Sequence, residues 1–162
     1  AKTWAQQNTV PYIATGDIVR NEARRRGLEM GPASMERLSD ELRGQDGMGV
    51  TRLALQWALE VQGPSVVLEG MRGLGEVELI RERMEVMVVA FVVAKAMRYQ
   101  RFSARRRSDD GMGGAEVLAQ RDRRELGYGL GDVIASADIY VLNNGTLEEL
   151  YRKVDEIIDR LL

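Results

Sequence analysis

The segment Tyr12-Ile13-Ala14-Thr15-Gly16-Asp17-Ile18-Val19-Arg20 combines a short apolar run, a glycine, two side chains suited to helix capping and an arginine. It reads as a strand that ends at Ala14, turns through Gly16 and enters a helix capped by Thr15 or Asp17. Free N–H groups at such a helix start suit an anion, and Arg20, one turn in, reaches the same anion. The same pattern also describes an ordinary strand–turn–helix junction with a surface arginine. A second basic constellation is denser: Arg98, Arg101, Arg105, Arg106 and Arg107 lie within ten residues. Like charges that close repel one another unless an anion or nearby acids compensate. Three readings fit this cluster: a solvated helix face, a lid over nucleotide phosphates, or contacts to an RNA backbone. Asp109 and Asp110 are placed either to pair with these arginines or to solvate a turn.

The chain has no histidine and no cysteine. That argues against thiolate metal sites, disulfides and nucleophilic catalysis by Ser–His or Cys–His pairs, and it makes zinc or haem improbable. A general base would have to be a carboxylate, lysine or tyrosine. Phosphoryl transfer suits these restrictions, because it depends mainly on positioning and charge stabilisation. Arginine outnumbers lysine 20 to 3, and a guanidinium fork grips phosphate through two hydrogen bonds. Genomic composition, or a thermophilic source rich in surface ion pairs, accounts for the same bias.

Around these residues, short β-rich runs alternate with helical patterns, the arrangement of a parallel sheet with helices on both faces. Strands are expected at 10–14, 65–70, 87–93 and 139–142. The third, Met87-Val88-Val89-Ala90-Phe91-Val92-Val93, lacks alternation and reads as a strand buried on both faces. Helices are expected at 1–7, 15–26, 33–42, 49–61, 75–83, 98–107 and 115–126. In the second of the longer helices Met35, Leu38 and Leu42 share a face, and in the third Val50, Leu53, Trp57 and Val61 do. Asn144-Gly145 makes a turn, and Thr146-Leu147-Glu148-Glu149 is a capping box opening a last helix. The stripe Leu147, Leu150, Val154, Ile157 and Leu161 in that helix is expected to face the core.

Ile13-Ala14-Thr15-Gly16-Asp17-Ile18-Val19-Arg20 resembles the adenylate kinase segment in which Thr and Arg hold the acceptor nucleoside monophosphate. Leu68-Glu69-Gly70-Met71-Arg72 is similar to the place where that family ends a strand in Asp-Gly and grips the acceptor phosphate with an arginine. Arg107-Ser108-Asp109-Asp110, with Arg121 and Arg124 downstream, resembles the family's lid, and 137–145 falls where its last strand and adenine-side loop lie. These matches keep the family's order over residues 10 to about 146. More narrowly, Gly16-Asp17-Ile18-Val19-Arg20-Asn21-Glu22 and the run 121–138 resemble an archaeal group described as adenylate-kinase-like or dephospho-coenzyme-A-kinase-like.

The resemblance implies a single α/β domain over residues 1–162, a three-layer sandwich of the P-loop nucleotide-kinase type with a small helical lid at 98–126. It implies an ATP-dependent phosphotransferase that uses magnesium, with a nucleoside monophosphate or related nucleotide as acceptor. Thr15, Asp17, Arg20 and Arg72 would bind the acceptor. Arg107, Arg121 and Arg124 would stabilise the transferring phosphoryl group. Arg101, Asn144 and Gly145 would meet the donor nucleotide, and Glu69 would hold magnesium through water. Glu69 stands where the family has Asp, which shifts the carboxylate by one methylene. A nucleotide-binding regulator without efficient transfer, or an RNA-binding protein, are the alternatives.

The Gly-x-x-x-x-Gly-Lys-Ser/Thr loop of the family is not found in these residues. Lys2-Thr3 reads as part of an ordinary first helix. The loop belongs with a central strand, whose neighbours would otherwise carry unpaired backbone, so the expectation is that the sequence is an N-terminally incomplete form of a longer chain. The alternative is a truncated chain whose sheet a partner completes. Composition adds the remaining bounds. Net charge is −2, and 44% of residues are hydrophobic, as in a globular protein with no strong pull toward nucleic acid or anionic membranes. No signal-peptide pattern opens the chain, and the apolar run 86–94 is too short to cross a bilayer. A cytoplasmic location is the expectation.

Overall fold

The structure, a computed structural model, describes residues 1–104 and 115–158. It is mixed α/β, with short parallel strands among helices. In chain order the elements are α1 (Lys2–Gln7), β1 (Tyr12–Ala14), α2 (Thr15–Arg25), α3 (Pro32–Arg43), α4 (Gly49–Glu60), β2 (Val67–Glu69), α5 (Leu74–Arg81), β3 (Val89–Val92), α6 (Lys95–Ala104), α7 (Ala115–Gly127), α8 (Leu130–Ala135), β4 (Ile139–Leu142) and α9 (Leu147–Ile158). Every expected strand forms, the first three shorter than their apolar runs and the fourth with the bounds expected. Helix α8 is the element the pattern did not announce. Six residues are too few to display a helical period, and its start is set by Gly129, whose φ of 98° needs a residue without Cβ.

The four strands form two parallel pairs. In the first, Tyr12, Ile13 and Ala14 register with Val67, Leu68 and Glu69. In the second, Val89 to Val92 register with Ile139 to Leu142. Among the described residues no ladder joins one pair to the other. Packing holds the halves together instead. Trp4 and Ala5 of α1 pack with Val154 of α9, with Tyr12 and Val67 alongside, and α5 lies against α8. The main core gathers Ile13, Ile18, Val19, Ala23, Leu38, Val50, Ala54 and Ala58, with Met35 and Leu42 against it. The stripe expected in α3 is thus the one that packs.

Three burial expectations change. In α4 the buried face is Val50, Thr51, Ala54, Leu55 and Ala58, whereas Leu53 and Trp57 are exposed. A 3.6-residue period leaves neighbouring faces close in phase, and the small Ala54 and Ala58 permit the closer approach to α2 and α3. In β3 Ala90 is buried but Phe91 is 43% exposed, so this strand is not covered on both faces. Among the described residues it pairs with β4 alone. In α9 Val154 is buried, but Leu147 is exposed because it sits in the first turn, beyond the end of the strand pair. Leu161 lies outside the described residues.

The capping box at α9 forms as read. Thr146 N–H donates to Glu149 at 3.0 Å, and Glu149 N–H donates to Thr146 Oγ1 at 3.2 Å. No helix among the described residues is long and apolar enough to cross a membrane.

Candidate functional site

Thr15, Glu69, Arg72, Asn144 and Gly145 stand at or just past the carboxyl ends of β1, β2 and β4, the position where open α/β sheets bind ligands. At the end of β1, Thr15 enters α2 without capping it. Its Oγ1 donates to the carbonyl of Gly70, at the end of β2, at 3.3 Å. No side chain caps α2, so the expectation that Thr15 or Asp17 would do so is corrected: Thr15 is drawn to the neighbouring strand. Asp17 instead pairs with Arg20 one turn on, at 2.6 Å. The Arg20 guanidinium then folds back over Gly16, where a Cβ would lie 3.3 Å from its terminal nitrogens.

Beside them Glu69, the last residue of β2, accepts a 2.5 Å hydrogen bond from the Tyr12 hydroxyl. Partial burial and the adjoining Glu69 carboxylate both push the tyrosine hydroxyl to hold its proton more tightly than usual. Tyr12 was not singled out from sequence. It is an aromatic in a strand, in register with Val67, and only the reach of its hydroxyl to Glu69, two residues further along β2, gives it a polar role.

Arg72 follows the end of β2 and reaches α7, where its Nε meets Glu125 at 2.7 Å. Its backbone is fixed by Glu76. This carboxylate, 2% exposed, accepts the N–H groups of Arg72 at 2.6 Å and Gly73 at 3.0 Å. It also accepts the Thr51 hydroxyl at 2.9 Å and the Arg43 guanidinium at 3.4 Å. Arg43 lies 4.4 Å from the centre of the Tyr128 ring, and the Tyr128 hydroxyl donates to Asp40. Burial raises the pKa of that hydroxyl, with the Asp40 contact adding to it. Glu76 was missed because a glutamate in the first turn of a helix is usually a solvated charge that favours the dipole. Nothing local marks it as buried.

The second cluster stands at the ends of β3 and β4. Arg101 of α6 donates to the Asn143 carbonyl at 2.8 Å, to its side chain at 3.0 Å and to the Gly145 carbonyl at 2.7 Å. Asn144 accepts the Ala94 N–H at 2.9 Å, tying the loop after β4 to the loop after β3. Arg101, Asn144 and Gly145 are therefore brought together. Next to them opens a cavity of about 660 Å³. Its basic lining residues are Arg98, Arg101 and Arg121, and its apolar ones include Phe102, Leu118, Leu130 and Ile134. Asp122 and Glu125 complete it.

Arg124 does not line this cavity. It pairs with Glu36 of α3 at 3.0 Å and so joins α7 to the first half of the chain. Arg107 lies outside the described residues, as do Arg105, Arg106, Asp109 and Asp110. Among the described residues, no group of three or more carboxylates forms a metal-binding cluster. Glu69 on its own supports magnesium only through water or through the phosphates of a nucleotide.

No family model matches the chain. It is similar to proteins named UPF0200 protein in several archaea. It is 35% identical to the one from Thermococcus onnurineus, over 97% of this chain and 88% of that protein. It is 33% identical to the one from Methanosarcina mazei, over 98% of this chain and 86% of that protein. With the one from Methanocaldococcus jannaschii it shares 32% identity over 98% of this chain and 81% of that protein.

Proposed function

This chain belongs to the UPF0200 family, and we propose that it is an ATP-dependent phosphotransferase of the nucleotide-kinase type, acting on a nucleoside monophosphate or related nucleotide. The observation that carries this reading is the cavity at the ends of β3 and β4, lined by Arg98, Arg101 and Arg121 together with apolar side chains. A base stacks against apolar wall while guanidinium groups meet phosphate. The contact of Thr15 with Gly70, which joins the ends of β1 and β2, supports an acceptor segment there.

The division of the strands into two parallel pairs supports a doubly wound sheet split at its centre, the P-loop-kinase-like sandwich of the resemblance. In this reading Thr15, Asp17 and Arg20 hold the acceptor with Arg72. Arg121 and Arg124, together with Arg107, spread the charge that develops on the phosphoryl group in flight. Arg101 sets the loop of Asn144 and Gly145 against the donor base. Glu69 holds magnesium through water, its position fixed by Tyr12.

The test is transfer of the γ-phosphoryl group by the full-length protein, given ATP, magnesium and a panel of nucleoside monophosphates and dephospho-coenzyme A. One acceptor should be phosphorylated, and Arg20→Ala and Arg72→Ala should each abolish the transfer. No transfer to any acceptor overturns the kinase reading.

A second reading is a nucleotide-binding regulator without turnover. It is favoured by the ion pairs that already engage Arg20, Arg72 and Arg124, and it predicts saturable ATP or AMP binding with no product. RNA binding by the arginine segment is less supported. Arg98 and Arg101 turn inward, to Asp122 and to the 143–145 loop.

A further inference from the structure

Resting on the nucleotide reading of the cavity, one arrangement in its wall goes further. Asp122 and Glu125 stand one turn apart on α7, and both line the cavity. Each holds an arginine that reaches it from the end of a different strand. Arg98, at the start of α6 after β3, donates two parallel hydrogen bonds to Asp122 at 2.8 and 2.7 Å. Arg72, after β2 and not itself among the residues that line the cavity, meets the lining Glu125 through its Nε at 2.7 Å. A planar fork bound to a carboxylate is the same fork that would bind a phosphate, so the two anions compete for one donor set. Arg98 is also incompletely satisfied, because its Nε is buried without a hydrogen-bond partner.

We propose that Asp122 and Glu125 are internal stand-ins for the ligand's phosphates, an autoinhibitory contact that occupies Arg98 and Arg72 until a polyphosphate displaces it. With the cavity empty, the carboxylates keep two partly buried guanidinium groups compensated and hold α7 onto the ends of β2 and β3. When a polyphosphate enters, it takes over the Arg98 fork and draws the Arg72 guanidinium from Glu125. The two carboxylates then return to water, and the cost of parting them is subtracted from the binding free energy. The negative charge of α7 thereby sets how much phosphate the site requires. Another ion pair of this helix, Arg124 with Glu36, lies off the cavity wall and is not part of the competition.

The experiment is calorimetric titration of the full-length protein with inorganic tripolyphosphate, and separately with ATP, magnesium omitted. Asp122→Asn, Glu125→Gln and the double variant keep shape while removing charge. Each should bind tripolyphosphate roughly threefold to tenfold more tightly than the natural protein, the double variant most tightly. Glu22→Gln, which removes the same charge from α2 away from the cavity, should bind as the natural protein does. Thermal unfolding of every variant establishes that it is folded. Equal or weaker binding by the folded Asp122 and Glu125 variants overturns the proposal while leaving the nucleotide reading standing, provided the natural protein binds and Arg98→Ala does not. An equal gain from Glu22→Gln also overturns it, since net charge alone would then explain the effect. If neither the natural protein nor the double variant binds either polyphosphate, both readings fall.

Discussion

Thr15 and Gly70 meet across the carboxyl ends of β1 and β2, with the Thr15 hydroxyl donating to the Gly70 carbonyl and no room between them for a side chain. A Cβ on Gly70 would lie 2.2 Å from Thr15 Oγ1, and Gly70 has a φ of 101°. The approach is therefore closed to every residue but glycine, for two independent reasons. Gly70→Ala should destabilise the fold by about 2–4 kcal/mol, combining backbone strain with overpacking. Urea denaturation measures this. Adding Thr15→Ala should recover only the part due to the contact, because the strained φ persists.

Glu76 is the buried anchor of the Arg72 segment. Its carboxylate gathers the N–H groups of Arg72 and Gly73, the Thr51 hydroxyl and the Arg43 guanidinium. Glu76→Ala leaves a buried arginine and a hydroxyl without their acceptor, and should cost about 3–5 kcal/mol. Glu76→Gln keeps an acceptor oxygen and should cost less. Chemical denaturation of the two variants side by side gives the comparison; equal losses would mean the charge and its fork of donors matter less than the shape.

Glu22 on α2 links Arg25 and Arg26, and Arg26 continues to Glu41. Hydrogen bonds from Arg25 and then Arg26 lower the Glu22 pKa from 4.5 to about 2. A depressed folded-state pKa favours folding above the unfolded value, and that contribution disappears as pH falls through the folded one. The stabilisation from Glu22 should thus be complete above about pH 4.5 and lost between there and about pH 2. In denaturation midpoints taken over that range, Glu22→Gln should show a shallower acid decline than the natural chain. Added salt should narrow the difference, because these groups are near water.

Arg101 ties down the loop after β4 through three hydrogen bonds. Arg101→Ala should free the 143–145 loop and lower nucleotide affinity by roughly tenfold or more, the loss of about one charged hydrogen bond's worth of free energy. Arg101→Lys should recover little, since one ammonium does not span the Asn143 and Gly145 carbonyls as the fork does. Fluorescent nucleotide titration provides the measurement.

The sequence by itself determined the four strands, the long helices and the capping box of Thr146 and Glu149, because each depends on local periodicity or on side chains three residues apart. It also marked Thr15, Gly70 and Arg72 through residue type at the ends of strands, and put Arg101 with Asn144 and Gly145. Only the tertiary structure decided what those residues touch. Arg72 could have met any anion until α7 presented Glu125, and Thr15 had a free choice of partners until β2 placed the Gly70 carbonyl beside it. Glu76 reads as a surface charge in sequence, and becomes a buried hub because α3 and α4 bring Arg43 and Thr51 around it. The α4 face shifted from Leu53 and Trp57 to Ala54 and Ala58, since small residues allow closer packing and periodicity alone does not rank neighbouring faces. Secondary structure is set by neighbours along the chain, whereas partners and burial are set by residues tens of positions away, whose meeting no local pattern encodes.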